Sequence, residues 1–339
     1  MSEILLVGTY SDIGIHKLEF GNGFMSLIQQ ENSFENCSFI CNNKDLIFST
    51  VEYSNNPSYS NGLLVLRDSK LSILNSYEIY GNSPCYSYFD DSRNLLYIAN
   101  YMDGSLNVYS INSENKSCKF LFKKSFTNHS HIHCIDLSKD KSILLVTDLG
   151  DNKLYAFDIF YEDDIFDLKL ISCYSFDVNS GPRHFVTDEN NIYLITENSC
   201  ELYHLVFDRS SGFKLINRCS ILPDNIKHSD DTGCSIKFGL NKNFLYTSVR
   251  GRNIINVFSL DLVSVQTISC YGKTPRDLFV LDDYLLCANQ NSDSIAIFDI
   301  EKNTGKLNYK NFYSISSPAC IVKLWNLSWI NYYALSCYC

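Results

Sequence analysis

LLYIANYMDGSLNVYSI (95–111), ILLVTDLGDNKLYAFDI (143–159) and YLLCANQNSDSIAIFDI (284–300) are one pattern written three times. Each opens on a short apolar run, turns on Asn, Asp, Gly or Ser, and returns as a second, alternating run. Short runs rich in Leu, Val, Ile, Tyr and Phe and broken by turn residues read as β-strands. No stretch carries a sustained 3.6-residue period with caps, so helices are not expected.

The opening run recurs seven times: LLVGTY (5–10), LIFSTVE (46–52), LLYIANY (95–101), ILLVTDL (143–149), IYLITEN (192–198), FLYTSVR (244–250) and YLLCANQ (284–290). Aligned on the next-to-last residue, the runs place Thr9, Val51, Asn100, Asp148, Glu197, Val249 and Asn289 at equivalent positions, 40 to 52 residues apart. A third strand follows in each unit, and a leading strand precedes every run but the first. Seven units of four strands predict an all-β, seven-bladed β-propeller. The first unit lacks its leading strand, and SPACIVKL (317–324) stands spare at the far end. It is expected to complete the first blade and close the ring, giving one domain over 1–324. The remaining WNLSWINYYALSCYC (325–339) has no place in this count, and its role stays open.

The 339 residues include 28 Lys+Arg against 38 Asp+Glu, a net charge of −10. This balance argues against general nucleic-acid binding, which needs basic surface to neutralise phosphates. It leaves room for an anionic small molecule held by a few arginines. No apolar segment is long enough for a membrane span, and the start has no leader-like pattern, so a cytoplasmic location is expected. The 14 cysteines form no C-x-x-C pair and often lie inside apolar runs, which suits reduced core thiols.

In a propeller the leading strands border a central channel, where polar residues are informative. His129, His131 and His133 alternate, so on a strand all three would share a face. Such a triplet could bind zinc with Asp148 as support, or supply one catalytic histidine. Arg183 and Arg276 each follow a proline at equivalent places, and Arg250 ends the sixth run. Burying a guanidinium without an acceptor is costly, so each must pair with a carboxylate or share an anion site. Glu197 is the natural partner for Arg183.

The ordered set GTY, ANY, DLG, GPRH, a Glu-bearing run, an Arg-Gly run and ANQ-x-SD resembles the seven-bladed lactonase family from about residue 5 to 324. That family includes propeller-type 6-phosphogluconolactonases and is similar to carboxymuconate-lactonizing enzymes. The resemblance implies a channel-mouth site made of His133, Arg183, Glu197 and Arg250, with His131 beside it. Arg276, Asp148, Asn100 and Asn289 are further candidates for substrate contact. The chain departs from the family at Val249, Ser235, Ser130 and Thr50-Val51-Glu52.

The expected chemistry is hydrolysis of a sugar-acid lactone such as 6-phosphoglucono-δ-lactone, a step of the pentose phosphate route. Water attacks the ester carbonyl, His133 or Glu197 serves as general base, and an arginine stabilises the oxyanion. No G-x-S-x-G elbow supplies a nucleophile. No cofactor or metal is implied, and the chain is expected to act as a monomer or weak homo-oligomer. Three alternatives stand beside this one. A lactonizing enzyme could use the same cations. A Ca²⁺-dependent lactonase could draw on Asn100, Asp148, Glu197 and Asn289. A scaffold is the third, although Trp325 and Trp329 are the only tryptophans and the repeat signature that uses Trp is absent.

Overall fold

The computed structural model describes residues 2–44, 46–52 and 62–324. The apolar tail (325–339) lies outside them. The described residues form seven sheets of four antiparallel strands, with no α-helix. Blades II to VII are each built from four consecutive strands. Blade I has the order β28 (Pro318–Lys323), β1 (Glu3–Thr9), β2 (Ile15–Gly21), β3 (Phe24–Glu31). The ring therefore closes through a ladder between the two ends of the fold, with Val7 opposite Ile321 and Leu6 opposite Val322.

Burial explains why the second strand of each blade reads as a continuous apolar run. β9 (Leu95–Asn100) and β13 (Ile143–Asp148) are buried at every residue, because a neighbouring blade covers each face. The outermost strands are covered less and alternate, as in β27 (Leu307–Ser314). Seven apolar clusters result, each filling one gap between neighbouring blades. Leu144, Val146 and Phe157 pack on Leu95, Tyr97 and Val108 between blades III and IV. Leu5, Val7 and Ile321 pack on Leu286 and Ile297 between blades VII and I. One gap also holds an ion pair. Arg67, fully buried, donates to Glu31 Oε2 from Nε and Nη2 at 3.0 and 2.6 Å, and to Ser49.

Closure by a single strand makes β28 a sensitive element. Ile321 is 2% exposed within the VII–I cluster. Ile321→Ala should cost about 2–5 kcal/mol through lost burial and a residual cavity. A fall in the urea midpoint at an unchanged m-value would register it.

Candidate functional site

The first strand of each blade faces the channel, and in most blades it carries a bulge at its start. Pro84 pairs with Asn100 and Tyr86 with Ala99, which leaves Cys85 without a partner in register. His133 is skipped between Ile132 and Cys134, Arg183 between Pro182 and His184, and Arg276 between Pro275 and Asp277. Ala319 is skipped in the closing strand. A bulge re-aims the extra residue out of the ladder. Here Cys85, His133, Arg183, Arg276 and Ala319 all line one narrow cavity. The proline before most of them costs little, because the channel side of this strand is a sheet edge that needs no N–H there.

The second contribution comes from the residue at or just past the end of the second strand. Pairing sets Asn100, Asp148, Thr196 and Asn289 opposite Pro84, Ile132, Pro182 and Pro275. Glu197 therefore corresponds to Tyr101, one step beyond the position given by aligning the runs. The residues in that place are Tyr10, Glu52, Tyr101, Leu149, Glu197, Arg250 and Gln290. Three of the expected substrate contacts lie one residue short of that place. Asn100, Asp148 and Asn289 are fully buried, and a one-residue step along a strand reverses the side chain. Asp148 Oδ1 accepts from His131 N at 2.9 Å and Asp151 N at 3.0 Å. Asn100 Nδ2 donates to Ser105 and Asn107, and Asn289 Nδ2 to Cys270 O at 2.9 Å. These side chains tie their own turns. With them buried, Glu197 has no oxygen set around it for Ca²⁺. Among the described residues no group of three or more His, Cys, Asp and Glu is placed to hold a metal.

Arg183, Glu197 and Arg250 form one cluster. Arg183 Nε donates to Glu197 Oε2 at 2.7 Å, and Nη1 to Cys234 O at 2.6 Å. Arg250 Nη2 reaches the same Glu197 oxygen at 2.9 Å, while its Nε is buried without a partner. Burial by itself would raise the Glu197 carboxyl, but attraction to the two guanidinium groups outweighs it, and Glu197 titrates below the ordinary range. Gly181, the first residue of GPRH, has φ +67°, a conformation L side chains rarely adopt.

The three histidines part company. β12 (Ile132–Leu137) begins after His131, and His129 lies exposed in the preceding turn, so the triplet does not share one strand face. His131 stacks on the Tyr101 ring at 4.4 Å, with Nδ1 2.8 Å from Tyr101 O. Gly150 packs against this segment, where a Cβ would fall 1.8 Å from His129 O and 2.9 Å from His131 Cδ2. His133 is 5% exposed, its Nδ1 has no partner, and its ring meets His184 edge-on at 5.0 Å. Tyr86 contacts both His184 and Phe39, which line the cavity. Burial first, then the field of Arg183, pushes both His133 and His184 well below the ordinary histidine value. Both imidazoles are therefore neutral at pH 7.

That shift has a sign for stability. Below about pH 6.5 the unfolded chain takes up protons that the folded imidazoles refuse, so stability falls as pH drops. The urea midpoint should decline from pH 7 to 5, and His184→Phe should flatten that decline. An equal slope in the variant would remove His184 as a cause.

Reading the sequence singled out His133, Arg183, Glu197, Arg250 and Arg276 and passed over Tyr10, Tyr101 and His184. The signal for Tyr10 and Tyr101 was present: each directly follows the aligned position, as Arg250 does.

Residues 4–323 match the family described as Lactonase, 7-bladed beta-propeller. The 6-phosphogluconolactonase of Bacillus subtilis (strain 168) is 26% identical over 345 residues, covering 93% of this chain and 96% of its own. The 6-phosphogluconolactonase of Formosa agariphila is 27% identical, with 89% and 94% covered. A protein from Lactobacillus plantarum of known structure has a TM-score of 0.87 at 25% identity, covering 96% of this chain and 100% of its own. The periplasmic gluconolactonase of Pseudomonas aeruginosa shares the fold, with a TM-score of 0.87, 20% identity, and 96% and 99% coverage. Seven blades closed by a C-terminal strand, a channel mouth of arginines and a match over nearly the whole chain agree: the protein belongs to the seven-bladed β-propeller lactonase family.

Proposed function

We propose that this protein hydrolyses a sugar-acid lactone, with 6-phosphoglucono-δ-lactone as substrate and 6-phosphogluconate as product. Membership of the lactonase family supports lactone hydrolysis. The observation that supports the finer reading is the mouth itself, where neutral His133, Arg183 and Arg276 line one cavity and Glu197 joins Arg183 to Arg250 beside it. In this reading His133 takes a proton from water as the water oxygen attacks the lactone carbonyl. The tetrahedral oxyanion is held by the Arg183–Arg250 pair, and Arg276 receives the phosphate. The ring C–O bond then breaks, and the imidazolium returns its proton to the leaving alkoxide. Glu197 is the weaker candidate for the base, because its Oε2 already accepts two guanidinium hydrogen bonds.

A lactone is an activated ester, so neither a covalent nucleophile nor a metal is needed. Cytoplasmic action belongs to the same reading and is supported by twelve described cysteines that are all free thiols. No helix among the described residues is long and apolar enough to cross a membrane. A monomer or weak homo-oligomer fits a ring that closes within one chain. The product would feed sugar-phosphate oxidation.

The test is turnover of freshly made 6-phosphogluconolactone by purified protein, followed by proton release with and without a chelator. Turnover well above the spontaneous rate and unchanged by chelator is expected. No excess over background would remove the assignment, and loss with chelator would replace it with a metal-dependent one.

A further inference from the structure

The channel mouth holds two arginine clusters that are built differently. Arg183 and Arg250 both contact a carboxylate directly. Among the described residues Arg276 makes no ion pair. Its Nη2 donates to Tyr10 Oη at 2.5 Å and its Nη1 to Gln290 Oε1 at 3.4 Å. Its guanidinium carbon lies 4.6 Å from the Tyr10 ring centroid. Tyr10 Oη in turn donates to Glu52 Oε2. A phenol has one proton to give, and it is used on Glu52, so the oxygen is left to accept from Arg276. The direction of the chain is fixed: Arg276 to Tyr10 to Glu52. Burial pushes the phenol far above its usual value, which keeps that proton in place at neutral pH. Arg276 comes from blade VII, Tyr10 from blade I and Glu52 from blade II, so the chain crosses the seam where the ring closes.

This arrangement fits the reading of an anion. Glu52 lies one hydroxyl away, so it orients Arg276 without covering its charge by contact. A guanidinium already fixed in place loses less side-chain freedom when it binds. An uncharged sugar lactone offers such a cation only neutral acceptors, whereas a phosphate gains stronger, charge-assisted hydrogen bonds.

We propose that Tyr10 and Glu52 are positioning residues that hold Arg276 as the phosphate-reading cation of the cavity, and so select a phosphorylated lactone over its uncharged counterpart. The proposal rests on the lactone-hydrolase reading above. Tyr10→Phe keeps the ring and removes the hydroxyl. Loss of one charge-assisted hydrogen bond should raise KM for 6-phosphogluconolactone about tenfold, with kcat within about twofold. KM for glucono-δ-lactone should not move. Glu52→Gln keeps an acceptor for the hydroxyl but loses the charge, and should raise KM for the phosphorylated substrate by about threefold. Equal losses on both lactones would show a merely structural role and overturn the proposal, as would no loss on either.

Binding separates this from failure of the lactonase reading. If the wild-type protein turns over neither lactone, calorimetry with 6-phosphogluconate and gluconate decides. Affinity that depends on the phosphate and weakens about tenfold in Tyr10→Phe supports the positioning role. Phosphate-dependent affinity that the variant leaves unchanged, or no such affinity in the wild type, overturns it.

Discussion

Arg183→Ala is expected to lower kcat/KM for the lactone about 10³-fold, roughly 4 kcal/mol of transition-state stabilisation. The size follows from where the guanidinium sits. It is 3% exposed, held by Glu197 on Nε and by Cys234 O on Nη1, and brought to the cavity by the bulge after Pro182. A donor fixed in this way needs no reorganisation when the carbonyl becomes an oxyanion, and its field acts where water is largely excluded. The loss should appear mainly in kcat, because the negative charge it answers develops only in the transition state. Removing one member of a buried pair can also destabilise the fold. Here Glu197 keeps Arg250 at 2.9 Å, so its carboxylate is not orphaned. Circular dichroism and a urea melt of the variant separate the two effects. Arg183→Lys, which keeps the charge but not the fork, should recover only part of the rate. A folded Arg183→Ala protein with wild-type turnover would end this assignment.

His133→Ala should reduce kcat by about 10²–10⁴-fold, the usual worth of a positioned general base. It should do so without loss of stability. Nδ1 of His133 is buried with no partner, so no hydrogen bond to that atom is lost. The variant should also resist acid better, because one of the buried imidazoles that oppose folding at low pH is gone. Falling activity with level or rising stability is the signature of a residue kept for chemistry.

The pH profile adds a second check. In the free enzyme burial and the arginine field hold the imidazole well below its usual value, so the acid limb of kcat/KM should lie below pH 6.5. A bound phosphate brings negative charge close to the same arginines and should move the acid limb of kcat upward. Parallel acid limbs for kcat and kcat/KM with the phosphorylated substrate would argue against an anion near His133.

Much of the fold was legible because burial writes itself into composition. A strand covered on both faces must be apolar at every residue, which is why LLYIAN and ILLVTD stand out and can be counted around the ring. The missing first strand and the spare SPACIVKL then require each other, and Val7 does face Ile321. The site was legible in its residue types. An arginine after a proline at the start of an inner strand is an unusual choice, and a glutamate inside an apolar run asks for a partner. Those cues pointed to Arg183, Arg276 and Glu197 before any geometry.

The register was not legible. Asn100 and Asn289 are as polar as Tyr101 and Gln290, and they lie one residue away. Composition does not say which of two adjacent residues faces the channel. That depends on where the bulge falls and on how the turn leaves the second strand.

The sequence by itself determined the seven-fold repeat, the closing strand and the chemical types available at the channel mouth, because burial and turn formation act over a few residues. Only the tertiary structure decided which side chains meet. Arg276 and Tyr10 are 266 residues apart in the chain and 2.5 Å apart in space. It also decided the protonation of His133, since burial first, and then the field of arginines from blades V, VI and VII, disfavours the charged imidazole. Electric fields and hydrogen bonds act through space, and the ring, once closed, sets those distances.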